Sequence, residues 1–492
     1  MKNKLPYLLL LFFVVVPSTL SAQTFAHGMS SSYVLPEDKA VLQKLDQWQD
    51  LKFGMIIHYG LYSELGIVES WSICSEEEDW IPRDSTIRYD DYKRKYWETI
   101  NHFNPEQLDP ESWAKYGKVA GMKYVVFTTK HHDGFSLFDT KYSDFSITKG
   151  AFKNHPRNNI AKEVFNAFRN EGYMIGAYYS KPDWHSQYYW WDRYATPNRH
   201  QNYSIIQNPW RWNQFKTFVY NQIEELMNDS YGSIDILWLD GGWVRPSRLG
   251  EAERSGRNYK GSPDIDMPKI AAMARSYQPG ILVVDRTVPG EFENYQTPER
   301  GIPGTQLNNP WESCIPLGWD WGFTPTDQYK SPVKVIHNLI EITAKGGSLL
   351  LGIGPKADGT LPEEVIVRLK SIGEWTSKNG KAIYGTRTTP VYNDGNIWFT
   401  QSKDGKKLYA IACLEEGGSI PETIVWKGNE PQKGSRMIYL PTGKSVKWER
   451  TSEGIKVTVP KSLPAQAALS FEFTPAQSQV LLINESLTKE KD

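Results

Sequence analysis

Across 492 residues there are only three cysteines, Cys74, Cys314 and Cys413, widely spaced and odd in number. Disulfides therefore do not organise the fold, and a buried free thiol is the expected state of at least one of them. No sign of charge dominates, with 56 Lys plus Arg against 57 Asp plus Glu. So balanced a chain offers no basic field to attract nucleic acid or an anionic membrane. Beyond the N-terminus no apolar run approaches the ~20 residues of a membrane-spanning helix. Also missing are a Gly-rich phosphate loop after the first strand, an HxH or HExxH spacing, an internal repeat and any long low-complexity tract. Dinucleotide-binding, zinc-protease and repeat architectures are thereby left without support.

What is present begins with an export signal. Lys2 and Lys4 precede an apolar run from Leu8 to Val16, then Pro17 and a stretch ending Leu20-Ser21-Ala22. This pattern predicts a secretory signal peptide over residues 1–22 and a periplasmic or extracellular mature chain without membrane insertion. The 19 Trp and 27 Tyr are many for this length. Flat aromatic faces suit the apolar faces of sugar rings, although much of this content must serve the core. The chain is too long for a single core, so two domains are expected.

Short apolar runs alternate with stretches of helical period. Strands are predicted at Phe53 to Tyr59, Tyr124 to Thr128, Met174 to Tyr179, Ile234 to Leu239, Ile281 to Asp285, Gln306 to Trp311 and Ser348 to Ile353. Helices are predicted at Pro110 to Ala120, Asn159 to Arg169, Trp212 to Met227, Met267 to Tyr277 and Pro332 to Lys345. The alternation predicts an α/β fold, a (β/α)8-like barrel over residues 35–380 with one strand degenerate. After Gly385 the segments become short, β-rich and punctuated by Gly, Asn, Asp and Pro. This texture predicts a C-terminal antiparallel β-sandwich over 385–484, followed by a charged tail at 485–492.

A barrel brings the C-terminal tips of its strands to one rim, so polar residues at those tips are the candidate site. The first tip carries His58 and the second His131-His132. Tyr178 and Tyr179 end the third, Trp238 and Asp240 the fourth, and Arg286 the fifth. The segment Trp238-Leu239-Asp240-Gly241-Gly242-Trp243 is the most telling, because an apolar strand runs directly into a carboxylate flanked by aromatics. Adjacent histidines on a strand point to opposite faces and lack metal-ligand spacing, so no metal or other cofactor is expected.

Five runs taken together resemble the α-L-fucosidases of glycoside hydrolase family 29. They are Phe53-Gly54-Met55-Ile56-Ile57-His58-Tyr59-Gly60, Thr129-Lys130-His131-His132-Asp133-Gly134-Phe135, Gly176-Ala177-Tyr178-Tyr179-Ser180, Trp238-Leu239-Asp240-Gly241 and Leu351-Gly352-Ile353-Gly354-Pro355-Lys356-Ala357-Asp358-Gly359. The resemblance implies a barrel with a C-terminal β-sandwich, a fucosylated oligosaccharide substrate and a retaining mechanism without metal. It assigns Asp240 as nucleophile, His58, His131 and His132 as ligands of fucose hydroxyls, and Trp238 as a pocket wall. Tyr178 and Tyr179 stay open as alternatives. Arg286 resembles an arginine carried near the nucleophile; otherwise it is an ion-pair partner of Asp285 or of a nearby loop acid.

A retaining glycosidase needs a second carboxyl about 5 Å from the first, to protonate the leaving oxygen and then to activate water. Glu291, Glu293, Glu299 and Glu312 are the candidates. Glu299 is preferred, because Gln296-Thr297-Pro298-Glu299 resembles the branch of the family acting on α-1,3/1,4-linked fucose. The loop Glu69-Ser70-Trp71-Ser72-Ile73-Cys74-Ser75-Glu76 suggests the same branch and would border the aglycone. Trp71 and Trp321 are candidates for holding the sugar or its methyl group. Two other readings compete: a barrel glycosidase for another terminal sugar such as galactose, and a fucose-binding protein without turnover.

Overall fold

A computed structural model of the protein describes residues 29–74, 83–84, 86–247 and 261–476. The expected signal peptide, the charged tail and residues 75–78 of the first-strand loop lie outside the described residues. Seven parallel strands form the central sheet: β1 (Phe53–Ile57), β2 (Tyr124–Lys130), β3 (Met174–Ser180), β4 (Ile236–Asp240), β5 (Leu282–Asp285), β6 (Glu312–Pro316) and β7 (Ser348–Ile353). Their spatial order is β5-β4-β3-β2-β1-β7-β6, a barrel open only between β5 and β6. All their residues are buried except Met174 and Asp240 at two ends. Burial on both faces explains why they read as apolar runs rather than alternating ones.

The helices between them begin where the sequence offers caps. Asp109 accepts the Ser112 amide ahead of Pro110–Ala120, Asn159 accepts the Lys162 amide ahead of Ile160–Asn170, and Ser331 accepts the Lys334 amide ahead of Pro332–Ala344. A further helix, Lys39–Leu51, closes the barrel bottom. Its Val41, Leu45 and Trp48 join Tyr124, Val126, Tyr178, Trp238 and Tyr295 in one interior cluster.

The gap between β5 and β6 is filled by the segment 292–300. Phe292 and Asn294 pair with β5 through Asp285 N–H to Phe292 O (2.8 Å) and Asn294 N–H to Val283 O (2.9 Å). Gln296 and Pro298 then accept from the Glu312 and Cys314 amides of β6 at 2.8 and 3.1 Å. This is the degenerate eighth stave; Pro298 has no N–H to give a ladder.

The sixth strand corrects the sequence reading. It runs over Glu312–Pro316, not Gln306 to Trp311. Asn308-Asn309-Pro310 is irregular, with the Asn309 side chain donating to Gln296 Oε1 at 2.9 Å. The true strand opens on a charged residue, Glu312, which is fully buried inside the barrel. Its carboxylate accepts from Tyr124 Oη at 2.6 Å and Trp238 Nε1 at 3.1 Å. An acid so satisfied can occupy a core position, and nothing in hydrophobic period reveals it.

C-terminal to the barrel lie a seven-stranded and a three-stranded antiparallel sheet. The larger includes Ile397–Ser402, Leu408–Cys413 and Ala468–Phe473; the smaller comprises Thr423–Trp426, Trp448–Thr451 and Gly454–Thr458. Phe399, Trp426, Val457 and Phe471 share their core. Arg387 and Lys403 of this region pair with Asp46 and Asp50 of the first helix. No disulfide joins the three cysteines among the described residues; Cys74 and Cys314 are buried and Cys413 is half-buried.

One glycine sets the geometry under the site. A Cβ on Gly54 would lie 2.4 Å from the Tyr124 ring, whose hydroxyl holds Glu312. Gly54→Val should therefore destabilise the fold by roughly 3 kcal/mol, read as an earlier urea midpoint. An unchanged midpoint would mean that the Tyr124 ring moves aside freely.

Candidate active site

Side-chain alternation decides what the strand tips present. On β4, Ile236, Trp238 and Asp240 face the barrel interior, and on β3 Tyr178 does the same. Asp240 therefore ends up at the inner rim with its side chain 15% exposed. Its Oδ1 accepts from the Gly241 amide at 2.8 Å and from Arg286 Nη1 at 3.1 Å, while Oδ2 accepts from Tyr178 Oη at 2.8 Å. His132 Nε2 lies 3.7 Å from Oδ2. Burial by itself pushes this carboxyl up. The Arg286 guanidinium, His132 and the hydrogen bonds outweigh it and hold Asp240 well below the usual carboxylate range. A carboxylate that stays ionised is what a nucleophile requires.

Arg286 is the first residue beyond β5, and its amide donates to Leu239 O at 3.0 Å. Its guanidinium stands 5.1 Å over the Trp238 ring. Nη1 reaches Asp240 and Nη2 reaches Glu299, so two carboxylates share one planar fork. Asp285 pairs instead with Lys181. Of the two ion-pair partners the sequence offered Arg286, the loop acid is the one it takes.

Three histidines line the same pocket. His58, His131 and His132 are nearly fully buried, and burial lowers all three, His131 to about 4 and the others well below their ordinary value. At neutral pH they are neutral imidazoles, each with one donor and one acceptor nitrogen. His131 Nδ1 hydrogen-bonds Ser70 Oγ, and His132 Nδ1 bonds Ser180 Oγ at 2.7 Å. The His58 ring stacks on Trp321 at 5.3 Å, and its Nδ1 meets no hydrogen-bond partner among the described residues. The expectation that His131 and His132 face opposite ways is corrected. β2 ends at Lys130, so the pair lies beyond the pleat and its rings converge at 4.3 Å.

A pocket of about 660 Å³ opens above this floor, lined also by Trp71, Arg199, Trp243, Trp319 and Trp321. Sequence reading placed Tyr178 and Tyr179 equally, and the structure separates them. Tyr179 points out of the barrel and donates to Gln222 Oε1 at 2.8 Å, so it leaves the site. Among the acids, Glu291 is exposed. Glu293 is buried on Ser30 and the Thr287 amide. Glu312 lies in the floor beneath Trp238. Only Glu299 of these four lines the pocket.

Sequence reasoning did not single out Glu69. Its Oε1 accepts from the amides of Trp321 (2.6 Å) and Gly322 (3.0 Å), and burial raises its carboxyl to about 7. Its place before Trp71 in the first-strand loop was the available signal. His131, His132 and Asp240 also bring ligand-type atoms within 4.8 Å of one another, the one such group among the described residues. Arg286, Tyr178 and Gly241 already claim the Asp240 carboxylate, which makes it a poor cation ligand.

The model of the alpha-L-fucosidase family matches residues 20–381. The chain belongs to the alpha-L-fucosidase family. It is 26% identical over 464 residues to the alpha-L-fucosidase of Dictyostelium discoideum, covering 88% of this chain and 93% of that one. Among solved structures, alpha-L-fucosidase isoenzyme 1 from Paenibacillus thiaminolyticus is 30% identical with a TM-score of 0.71, covering 89% of this chain and 100% of that one. The Thermotoga maritima alpha-fucosidase, solved in complex with fucose, is 26% identical with a TM-score of 0.68, over 90% and 100% of the two chains.

In this fucosidase-family site the pH sign follows from Asp240. A pKa depressed below the ordinary value keeps the carboxylate, and what it does, intact down to the depressed value. Arg286→Met removes the largest opposing charge, so burial dominates and the pKa rises. The acid limb of kcat/KM should then move to higher pH by at least about one unit. An unmoved limb would show that Arg286 does not hold Asp240 ionised.

Proposed function

We propose that the protein is an exo-acting α-L-fucosidase that hydrolyses terminal α-L-fucosides with retention of anomeric configuration. Family membership supports the substrate class. The observation that carries the mechanism is the pair of pocket carboxylates, Asp240 and Glu299, held on the two terminal nitrogens of Arg286. Two carboxylates contacting one guanidinium in the same pocket support double displacement, which uses a nucleophile and an acid/base about 5 Å apart.

In this reading Asp240 attacks the anomeric carbon while Glu299 protonates the leaving oxygen; Glu299 then takes a proton from the water that hydrolyses the fucosyl-enzyme. His58, His131 and His132 bind sugar hydroxyls as neutral donors and acceptors. Trp71, Trp238 and Trp321 supply apolar faces for the ring and its methyl group. The placement of the acid in Thr297-Pro298-Glu299 and the loop beginning at Glu69 support α-1,3/1,4-linked fucose as the preferred linkage.

Asp240→Ala should all but abolish turnover of every fucoside. Glu299→Ala should lose roughly 10²–10⁴-fold on natural oligosaccharides and far less on an activated aryl fucoside, whose leaving group departs with little proton assistance. Added azide, which needs no general base, should then accelerate turnover and yield α-fucosyl azide. Wild-type behaviour of Glu299→Ala, with rescue in Glu69→Ala or Glu312→Ala instead, would move the acid elsewhere.

The linkage reading has its own check: kcat/KM for a Lewis-type trisaccharide should exceed that for 2'-fucosyllactose. Equal or greater efficiency on the α-1,2 linkage would refute it.

A further inference from the structure

The pocket lip beyond β6 carries a residue that the core does not use. Trp319 lines the pocket yet is 69% exposed, whereas Trp238 and Trp321 of the same pocket are 1% and 9% exposed. An indole so far out of the core gains little from packing. Its backbone is nevertheless fixed from several directions. The Trp319 amide donates to Asp327 Oδ1 at 2.6 Å, and its carbonyl accepts from Arg300 Nη1 at 2.5 Å. Lys330 Nζ donates to the carbonyls of Gly318 and Pro316, both at 2.7 Å. Gly318 lies so close to Asp327 that a Cβ there would stand 1.8 Å from Oδ2. On a backbone held in this way only the indole's own torsions are left to be ordered when a ligand stacks on it.

Arg300 connects this lip to the second carboxylate. It directly follows Glu299 and adopts the left-handed conformation (φ 54°), which side chains other than glycine rarely take. Its guanidinium lies 5.2 Å from the Trp321 ring, and its Nε lies 3.8 Å from Glu299 Oε1. The oxygen that leaves must sit against the acid, and this oxygen belongs to the aglycone. The first aglycone ring therefore belongs on the side of the pocket where Glu299, Arg300 and Trp319 meet.

Building on the fucosidase reading, we infer that Trp319 is the stacking platform for the pyranose ring that carries the fucose, and that it sets the preference for oligosaccharide over minimal substrates. Stacking requires only an apolar ring face, so the platform selects a sugar aglycone without reading its hydroxyls.

The readout is a ratio: kcat/KM on a Lewis-type trisaccharide divided by kcat/KM on α-L-fucosyl fluoride, whose leaving group is a single atom that no platform can hold. Trp319→Ala should lower this ratio about tenfold, the loss of roughly one stacking contact. Trp319→Phe, which keeps an aromatic face, should stay within about threefold of wild type. An unchanged ratio in Trp319→Ala, or equal losses in the two variants, overturns the platform. If the wild type hydrolyses neither substrate, the fucosidase reading fails first and the platform with it.

Discussion

The arrangement of this site depends on one guanidinium placed between two carboxylates. Arg286 is 8% exposed, so its interactions with Asp240 and Glu299 act in a medium that screens poorly. A buried cation needs such partners, and two buried or half-buried anions need it in return. The planar fork also fixes direction: one terminal nitrogen faces each acid, which a lysine ammonium could not impose. Everything nearby is arranged to bring these three groups together. The pairing of Leu239 with Asp285 sets the tips of β4 and β5 level, so that Asp240 and Arg286 are neighbours. Trp238 lies beneath the guanidinium, and Glu312 beneath Trp238 fixes the indole through its N–H.

The third member of that group explains the irregular eighth stave. A regular strand between β5 and β6 would alternate its side chains and end at the rim, as the other seven do. The segment 292–300 instead runs antiparallel beside β5, turns, and follows β6 in parallel, with the bridges Val284–Glu293 and Glu299–Cys314 marking the two halves. Glu299 thus arrives over the pocket from the side, where it can share Arg286 without competing for the Gly241 amide and the Tyr178 hydroxyl on Asp240. The left-handed conformation of Arg300 is the local strain of that approach. A barrel closed by hydrogen bonds rather than by a full strand keeps its core sealed while leaving this stave free in shape.

Much of this was legible because buried parallel strands and helices of regular period leave strong local signals. Ser348–Ile353, Pro110–Ala120 and Met267–Tyr277 stand where an apolar run or a helical period predicted them. Asp240 was legible as a charge where an apolar run ends. What escaped was set by partners distant in sequence. Glu312 looked unlike a core residue until Tyr124 and Trp238 stood opposite it. Tyr178 and Tyr179 could not be separated without the register that pairs Tyr178 with Trp238. The convergence of His131 and His132 depended on where β2 stopped, the property a single sequence specifies least. The exposure of Trp319 at the pocket lip likewise left no mark in the sequence.

The outer faces of the same strand tips show what the inward charges demand of the scaffold. Lys181, one residue beyond β3, pairs with Asp285 at the end of β5, and Lys130 at the end of β2 pairs with Asp183 at 3.0 Å. All four side chains are at most 4% exposed. Such pairs contribute little net stability compared with apolar packing, since desolvation consumes most of the attraction. Breaking one is costly all the same, about 3–5 kcal/mol, because a lone buried charge remains. Their effect is therefore on position: a slip of one residue in β2, β3 or β5 would leave a charge unpaired. Hydrophobic residues alone would tolerate small sliding at a strand tip. With ion pairs outside and Arg286 inside, the tips of β3, β4 and β5 have one low-energy alignment, the one that places both carboxylates on the same fork.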